Sequence, residues 1–532
     1  MDTNSLTTTN FSNIDWVIII LYPMISLGIG IFVSKFIKNM NDFVCAGKGL
    51  GTALGVATLT GTELGLITVM YSSQKAFNGG FATFHIALIA GVITFFVGVS
   101  GFFLYRLREM QVLTIPEFYE RRFDKKTRIL GGIMMAFGGI LNMGLFLKIG
   151  SMFIVGITGL SESSWALPAV MIFLISLVLI YTCLGGMVSV VIADYVQFVV
   201  LSFGMLAATF LAINNLGWDN IFNTVAQVKQ EAGFNPIIGE SGFGLEYIVY
   251  VAFLGLVGCA IWPTSVSRAL SANSPKTVKR QFSFASISYL IRFLLPYFWG
   301  ICAFVWIMNE GGALKEAFFP TEEGVEPINN LYAMPMYLGT ILPAGVIGLI
   351  TAAMLAAFMS THDSYLLCWS SVLTQDVIAP LMGDKLSPKK RIVITRVLIV
   401  VIGIYVLAWG LLYKGSLAIF DYMGVTGAIY FAGAFALLFG GLYWKRASST
   451  GAFLALLAGS SAVLGLGPLQ KRINEMFITI TAPRFDETFE IITAPRAVLT
   501  SIALTTAAMI LGSLLFPDKE NKADVVKEFA DK

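Results

Sequence analysis

Charge is what this sequence has least of. Asp, Glu, Lys and Arg make up 13% of its 532 residues, where a soluble globular protein carries about 25%. No long polar block separates its apolar stretches, so one integral-membrane unit over 1–532 replaces the several soluble domains that such a length suggests. Two histidines and five scattered cysteines (Cys45, Cys183, Cys259, Cys302, Cys368) provide neither a disulfide framework nor a metal-ligand spacing, which argues against a membrane-embedded enzyme. The net charge of +3 forms no basic stripe, so nothing points to nucleic acid, and no obligate protein partner is evident. Met1 to Asp15 lacks the basic segment of a cleaved leader, and the first span is expected to be retained.

What is present is a succession of apolar runs, each about 20 residues long and so long enough to cross a bilayer. Thirteen transmembrane helices are expected, over 15–35, 50–74, 80–105, 128–157, 164–182, 187–213, 246–266, 282–308, 335–375, 391–411, 416–443, 449–467 and 496–515. An odd number puts the termini on opposite sides. With the N-terminus outside, inner segments hold 25 of the 35 Lys and Arg, seven of them between Arg106 and Arg128. The positive-inside rule therefore predicts a multi-pass cell-membrane protein with a cytoplasmic C-terminus.

The most polar membrane stretch is Met354 to Asp376. As a helix it places Ala357, Ser360, Thr361 and Ser364 on one face. A hydroxyl stripe at membrane depth has two readings: ligands for a small hard cation, or glue between helices. Asp363 beside it and Asp194 in the sixth span add ionisable groups where such residues mark functional sites. Two other spans are interrupted. Gly51, Gly55, Gly61 and Gly65 break the second around Thr60–Gly65, and Gly255, Gly258 and Trp262-Pro263 break the seventh. These spans open consecutive five-helix groups, 50–213 and 246–443, with additional C-terminal helices over 449–515. Paired broken helices point to a carrier with inverted repeats; glycine for close helix packing is the competing reading. The loop Thr114–Phe123 is amphipathic and basic, suited to lipid headgroups. An imperfect duplication within 469–495 is expected to form an extracellular hairpin.

Four pieces together resemble the sodium:solute symporter family. They are Gly185-Gly186 followed by Val190, Asp194 and Gln197; Thr114, Pro116, Glu117, Arg122 and Phe123; the Ser360-Thr361 pair; and Ala46 to Gly51 ahead of the broken span. The resemblance covers roughly residues 13–445 and implies an all-α, leucine-transporter-like fold with sodium-driven uptake by alternating access. It implies a sodium site from backbone oxygens of Gly61, Leu64 and Ala357 and the hydroxyls of Ser360 and Thr361. A second sodium site, held by some relatives, matches Asp194, Ser360, Asp363 and Ser364. Asp363 stands where the family often has Ser, and the added charge suits a second cation or a proton. The alternative is an ion pair with Lys148 or Arg292.

The resemblance is closest to the proline-carrier branch. Glu63, next to Gly65 in the unwound segment, stands where those carriers place an Asp, although Leu66 replaces their aromatic residue. Gly258, Cys259, Ala260 and Ile261 stand where sugar carriers have Asn and Gln. Substrate-lining residues are expected to include Glu63, Gly65, Leu66, His85, Lys148, Trp262 and Tyr430, with a packing role as the competing reading of His85. The implied solute is an amino acid or other amine-bearing metabolite, with a monocarboxylate, sugar or sugar acid as the alternative. A channel would conduct without saturation. A transporter-like sensor would need a signalling domain, for which the tail of about 15 residues is too short.

Overall fold

The computed structural model describes residues 9–33, 46–160, 164–322, 324–413, 418–481 and 490–518. Among these the chain is helical without strands, apart from one isolated bridge between Leu50 and Ala272. The helices that matter below are α1 (Asn13–Val33), α2 (Thr52–Glu63), α3 (Leu66–Gly79), α4 (Phe84–Ser100), α5 (Ile115–Arg122), α6 (Lys125–Met143), α7 (Phe146–Thr158), α8 (Ala166–Leu216), α9 (Trp218–Lys229), α10 (Leu245–Ala260), α11 (Pro263–Ser271), α12 (Pro275–Glu310), α13 (Ala333–Ile341), α14 (Val346–Val372), α15 (Pro388–Leu412), α16 (Ile419–Tyr443), α17 (Ser449–Gly459), α18 (Gly467–Thr481) and α19 (Ala494–Leu515).

Nine helical stretches among the described residues are long and apolar enough to cross a membrane, and a pair bent by 76°, Ser449–Gly465 with Gly467–Phe477, makes a tenth. Two shorter apolar helices, Asn13–Ile25 and Ala166–Ile180, match the expected first and fifth spans. The count falls below thirteen partly because the chain breaks its spans. The α2 half-helix has 12 residues, about 18 Å at 1.5 Å per residue, against a hydrocarbon core of about 30 Å. The 51 residues of α8 carry the expected fifth and sixth spans.

Both interruptions read in the sequence are present but narrower than expected: Gly55 and Gly61 lie within the continuous helix α2, and Gly255 and Gly258 within α10. The first separates α2 from α3 at Leu64 (φ −94°, ψ 58°) and Gly65 (φ −75°, ψ 160°). The second separates α10 from α11 at Ile261 and Trp262, with Trp262 extended (φ −59°, ψ 126°). Pro263 accounts for it: the residue before a proline is driven out of the helical region, while proline itself suits the first helical turn.

The expected ninth span, 335–375, is divided. The chain leaves α13 at Leu342, turns through Pro343 and Gly345 (φ +84°, a value favouring glycine), and re-enters as α14. The bare amides at the start of α14 are satisfied from another helix: Asp15 Oδ1 of α1 accepts from Gly345 N and Gly348 N, each at 2.7 Å. α14 is buried on nearly every side by α1, α6, α8 and α15, as a helix at the centre of a bundle must be. Of the expected 469–495 hairpin, residues 467–481 are α18, and 482–489 lie outside the described residues. The returning chain is tied down where Asn474 exchanges two 2.9 Å hydrogen bonds with the backbone of Ile492.

Candidate functional site

The break after α2 lies against the hydroxyl face of α14. Thr361 Oγ1 donates to Ala357 O at 2.9 Å and lies 3.3 Å from Thr62 O. Gly65 is so close that an added Cβ would stand 2.2 Å from Thr361 Oγ1. Gly61 packs on the backbone of Asp194 in α8, where a Cβ would be 3.2 Å from Asp194 O. Ser360 Oγ donates to Asp194 Oδ1. Gly61, Leu64, Ala357, Ser360 and Thr361 thus border one junction of α2, α8 and α14. The last carbonyls of a helix have no intrahelical donor, so this junction is rich in neutral oxygen.

Beside it, Asp194 is fully buried and accepts from Thr58 Oγ1 at 2.5 Å and Thr62 Oγ1 at 3.2 Å. Its charged partner is Arg268 of α11, whose Nη2 lies 3.5 Å from Asp194 Oδ2, 2.5 Å from Thr62 Oγ1 and 2.7 Å from Ser364 Oγ. That guanidinium already stands among the oxygens of the expected second cation site. Asp363 accepts from Ser364 Oγ at 3.1 Å, and its other oxygen is buried without a partner among the described residues. The ion pair expected between Asp363 and Lys148 or Arg292 is not formed among the described residues, where Arg292 pairs with Glu63 and Lys148 donates to Tyr413 O. The sequence does not show Arg268 as the partner of Asp194 because it lies 74 residues from Asp194, on a different helix.

A cavity of about 800 Å³, counting its mouth, lies between the two breaks and α4, α6, α10, α12, α14 and α16. Its polar residues include Glu63, Asn142, Tyr71, Tyr289, Arg292 and Tyr365. Glu63 links the breaks. Its Oε1 accepts from Thr264 Oγ1 at 3.0 Å and Ser265 Oγ at 3.1 Å, in the first turn of α11, where the helix dipole favours a carboxylate. Its Oε2 pairs with Arg292 Nη1 at 3.2 Å, and the same nitrogen donates to Glu63 O at 3.1 Å. Trp262 closes one side, its Nε1 donating to Tyr365 Oη at 2.8 Å.

Of the expected lining residues, Glu63 and Trp262 border this cavity; the other five do not. Gly65 faces Thr361, and Leu66 is buried toward Gly150 of α7. His85 contacts Ala82 O at 2.6 Å and packs edge-on against Phe243, a structural placement. Lys148 Nζ donates to Tyr413 O at 2.9 Å, and Tyr430 meets Tyr119 at 3.2 Å. A helical wheel points Lys148 and Tyr430 inward but cannot say toward which neighbour. Arg292 is expected from the sequence only as an ion-pair partner for Asp363, and Asn142 carries no expectation; a lone arginine deep in an apolar span is the signal that points to a site.

The amphipathic segment is docked on protein. Thr114 caps α5 and donates to Asp376 Oδ1 at 2.9 Å, which Arg128 Nε also contacts at 2.9 Å. Arg122 is buried on the carbonyls of Gly441 and Ala447, each at 3.1 Å.

Comparison with known proteins agrees with this architecture. A model of the sodium:solute symporter family matches residues 43–459. The chain is 24% identical over 519 residues to the sodium/glucose cotransporter of Vibrio parahaemolyticus, covering 93% of this chain and 91% of that one. It is 25% identical to the sodium/sialic acid symporter of Proteus mirabilis (86% and 90% covered), and 23% identical to a sodium/proline symporter of Staphylococcus aureus (87% and 88%). A substrate-bound, outward-open structure of a Na+-coupled sialic acid symporter superposes with a TM-score of 0.74 at 19% identity, over 96% of this chain and 100% of that one. At that identity the likeness establishes the fold.

Proposed function

Because this chain belongs to the sodium:solute symporter family, we propose that it imports a small organic solute through the cavity beside Glu63, driven by sodium bound at the junction of α2, α8 and α14. The chain is a multi-pass, sodium-coupled symporter; the solute, the ion ligands and the orientation are the proposal. The five-helix groups 50–213 and 246–443 act as inverted repeats, with the N-terminus outside and the C-terminus in the cytoplasm. Carbonyls of Gly61, Leu64 and Ala357 and the hydroxyls of Ser360 and Thr361 hold the ion. Five neutral oxygens bind it weakly enough for release. An ion there pins the α2–α3 break to α14 and so positions Glu63. The membrane potential adds about 2.3 kcal/mol per charge per 100 mV to the driving force.

One observation carries the solute assignment: Glu63 and Arg292 border the same cavity next to the break. An amino acid can address both, its ammonium toward Glu63 and its carboxylate toward Arg292. A monocarboxylate or sugar acid is the second reading, favoured because both Glu63 oxygens already accept hydrogen bonds. Arg268 amid Asp194, Thr62 and Ser364 supplies a fixed positive charge in place of a second mobile one. Uptake into proteoliposomes with and without an inward sodium gradient tests the reading. Ser360→Ala and Thr361→Ala should each raise the sodium concentration for half-maximal uptake at least tenfold; unchanged sodium dependence in both refutes the ion site.

A further inference from the structure

We propose that Arg292 is the receptor for a carboxylate on the transported solute, and that this carboxylate, not an amine, is the group the cavity requires. The inference rests on the sodium-symport reading and narrows its substrate class.

Arg292 and Glu63 are the charged residues on the cavity wall. The arginine is held in place by the protein, yet among the described residues only its Nη1 is engaged. Its guanidinium carbon lies 4.0 Å from the Tyr289 ring centre and 4.6 Å from that of Phe293, an arrangement that fixes the plane through cation–π attraction. Both of its hydrogen bonds leave from Nη1, toward Glu63 O and Glu63 Oε2. Nε is buried with no partner among the described residues. The Nε–Nη2 edge is a planar pair of donors, the shape that takes a carboxylate in a bidentate grip; because Nε is buried, the carboxylate reaches it only once the side chains packed over it part.

Glu63 is in the opposite condition. Two hydroxyls occupy one oxygen and Arg292 the other. An incoming ammonium would have to displace the arginine or break both hydroxyl contacts.

Charge balance favours the same end of the solute. Glu63 and Arg292 cancel. A sodium ion at the adjacent break adds one positive charge, which a monocarboxylate neutralises. A zwitterion leaves that charge standing, and a simple amine doubles it. Uncompensated charge in a water-poor interior is costly, so ion and carboxylate each favour the other's binding, as linkage requires.

The test uses the full-length protein in liposomes and initial uptake rates of labelled propionate, L-lactate, L-alanine, L-proline, alaninamide, propylamine and glucose, each also offered unlabelled as a competitor. Sodium-dependent uptake is expected only for solutes with a carboxylate, and alaninamide and propylamine should compete at least tenfold more weakly. Arg292→Lys keeps a positive charge for Glu63 but loses the planar edge. It should raise the carboxylate KM at least tenfold, while half-saturating sodium moves less than threefold. Sodium-dependent uptake of propylamine, alaninamide or glucose at rates matching the carboxylates, uptake of none of the carboxylates, or an unchanged KM in Arg292→Lys overturns the inference. Uptake indifferent to sodium sinks the symport reading instead, while the competition series still reports on the carboxylate. If Arg292→Lys does not assemble, that series on the unaltered chain decides alone.

Discussion

Gly65→Ala is the sharpest test of the idea that the break and the hydroxyl face act together, because it adds a single carbon where none fits. The new Cβ would lie 2.2 Å from Thr361 Oγ1, 3.0 Å from its Cβ and 3.2 Å from its Cγ2. Comfortable separations between such atoms begin at about 3.5 Å, so the clash exceeds 1 Å. Thr361 cannot swing aside cheaply: a β-branched side chain in a helix has few rotamers, and rotation would exchange the hydroxyl on Ala357 O for a methyl group already in contact. The break must back away from α14. Overpacking of this kind costs about 1–3 kcal/mol. If the sodium-loaded state bears that cost, half-saturating sodium rises about 5- to 150-fold. Sodium titration of uptake, at matched protein per liposome, measures it. Gly51→Ala is the control: it too adds one carbon to the α2 region, but nothing lies within 4 Å of its Cβ. Its sodium response should stay within twofold of the parent. A Gly65→Ala protein that reconstitutes normally with sodium dependence within twofold of the parent would refute the coupling of break to hydroxyl face.

Two further outcomes follow from the buried charges. Arg268→Gln leaves Asp194 without a counter-charge in a fully buried setting; breaking such a pair costs about 3–5 kcal/mol, visible as a lower melting temperature in detergent. Asp194→Asn combined with Arg268→Gln should recover part of the loss, and equal melting of the single variant and the parent would show that the pair contributes nothing. Outside the membrane, burial pushes the Lys229 amine of α9 down to about 8, while it donates to Asn78 O at the end of α3 and lies 4.1 Å from the Phe304 ring centre. Between about pH 8 and the ordinary lysine range the folded chain holds fewer protons than the unfolded one, so this group's contribution to stability increases as pH rises through that window. Lys229→Met should flatten that segment of the melting-temperature profile; an identical slope in both proteins would contradict the assignment.

What the sequence by itself determined is whatever one helix carries within its own length. Apolar runs near bilayer length locate the spans. Gly65 and Trp262-Pro263 mark the breaks because the reasons lie in local backbone preference. Ala357, Ser360, Thr361 and Ser364 share a face by helical spacing alone. Tertiary structure decided everything that depends on which faces meet. Only packing brings Arg268 of α11 to Asp194 of α8, sets Arg292 of α12 on Glu63 across the cavity, and turns His85, Lys148 and Tyr430 toward neighbours outside it. The division of 335–375 follows from both: Pro343 and Gly345 break the helix locally, while Asp15, more than 300 residues away, supplies the cap. A charge at membrane depth must find its counterpart wherever the fold places one, and sequence separation does not encode that distance.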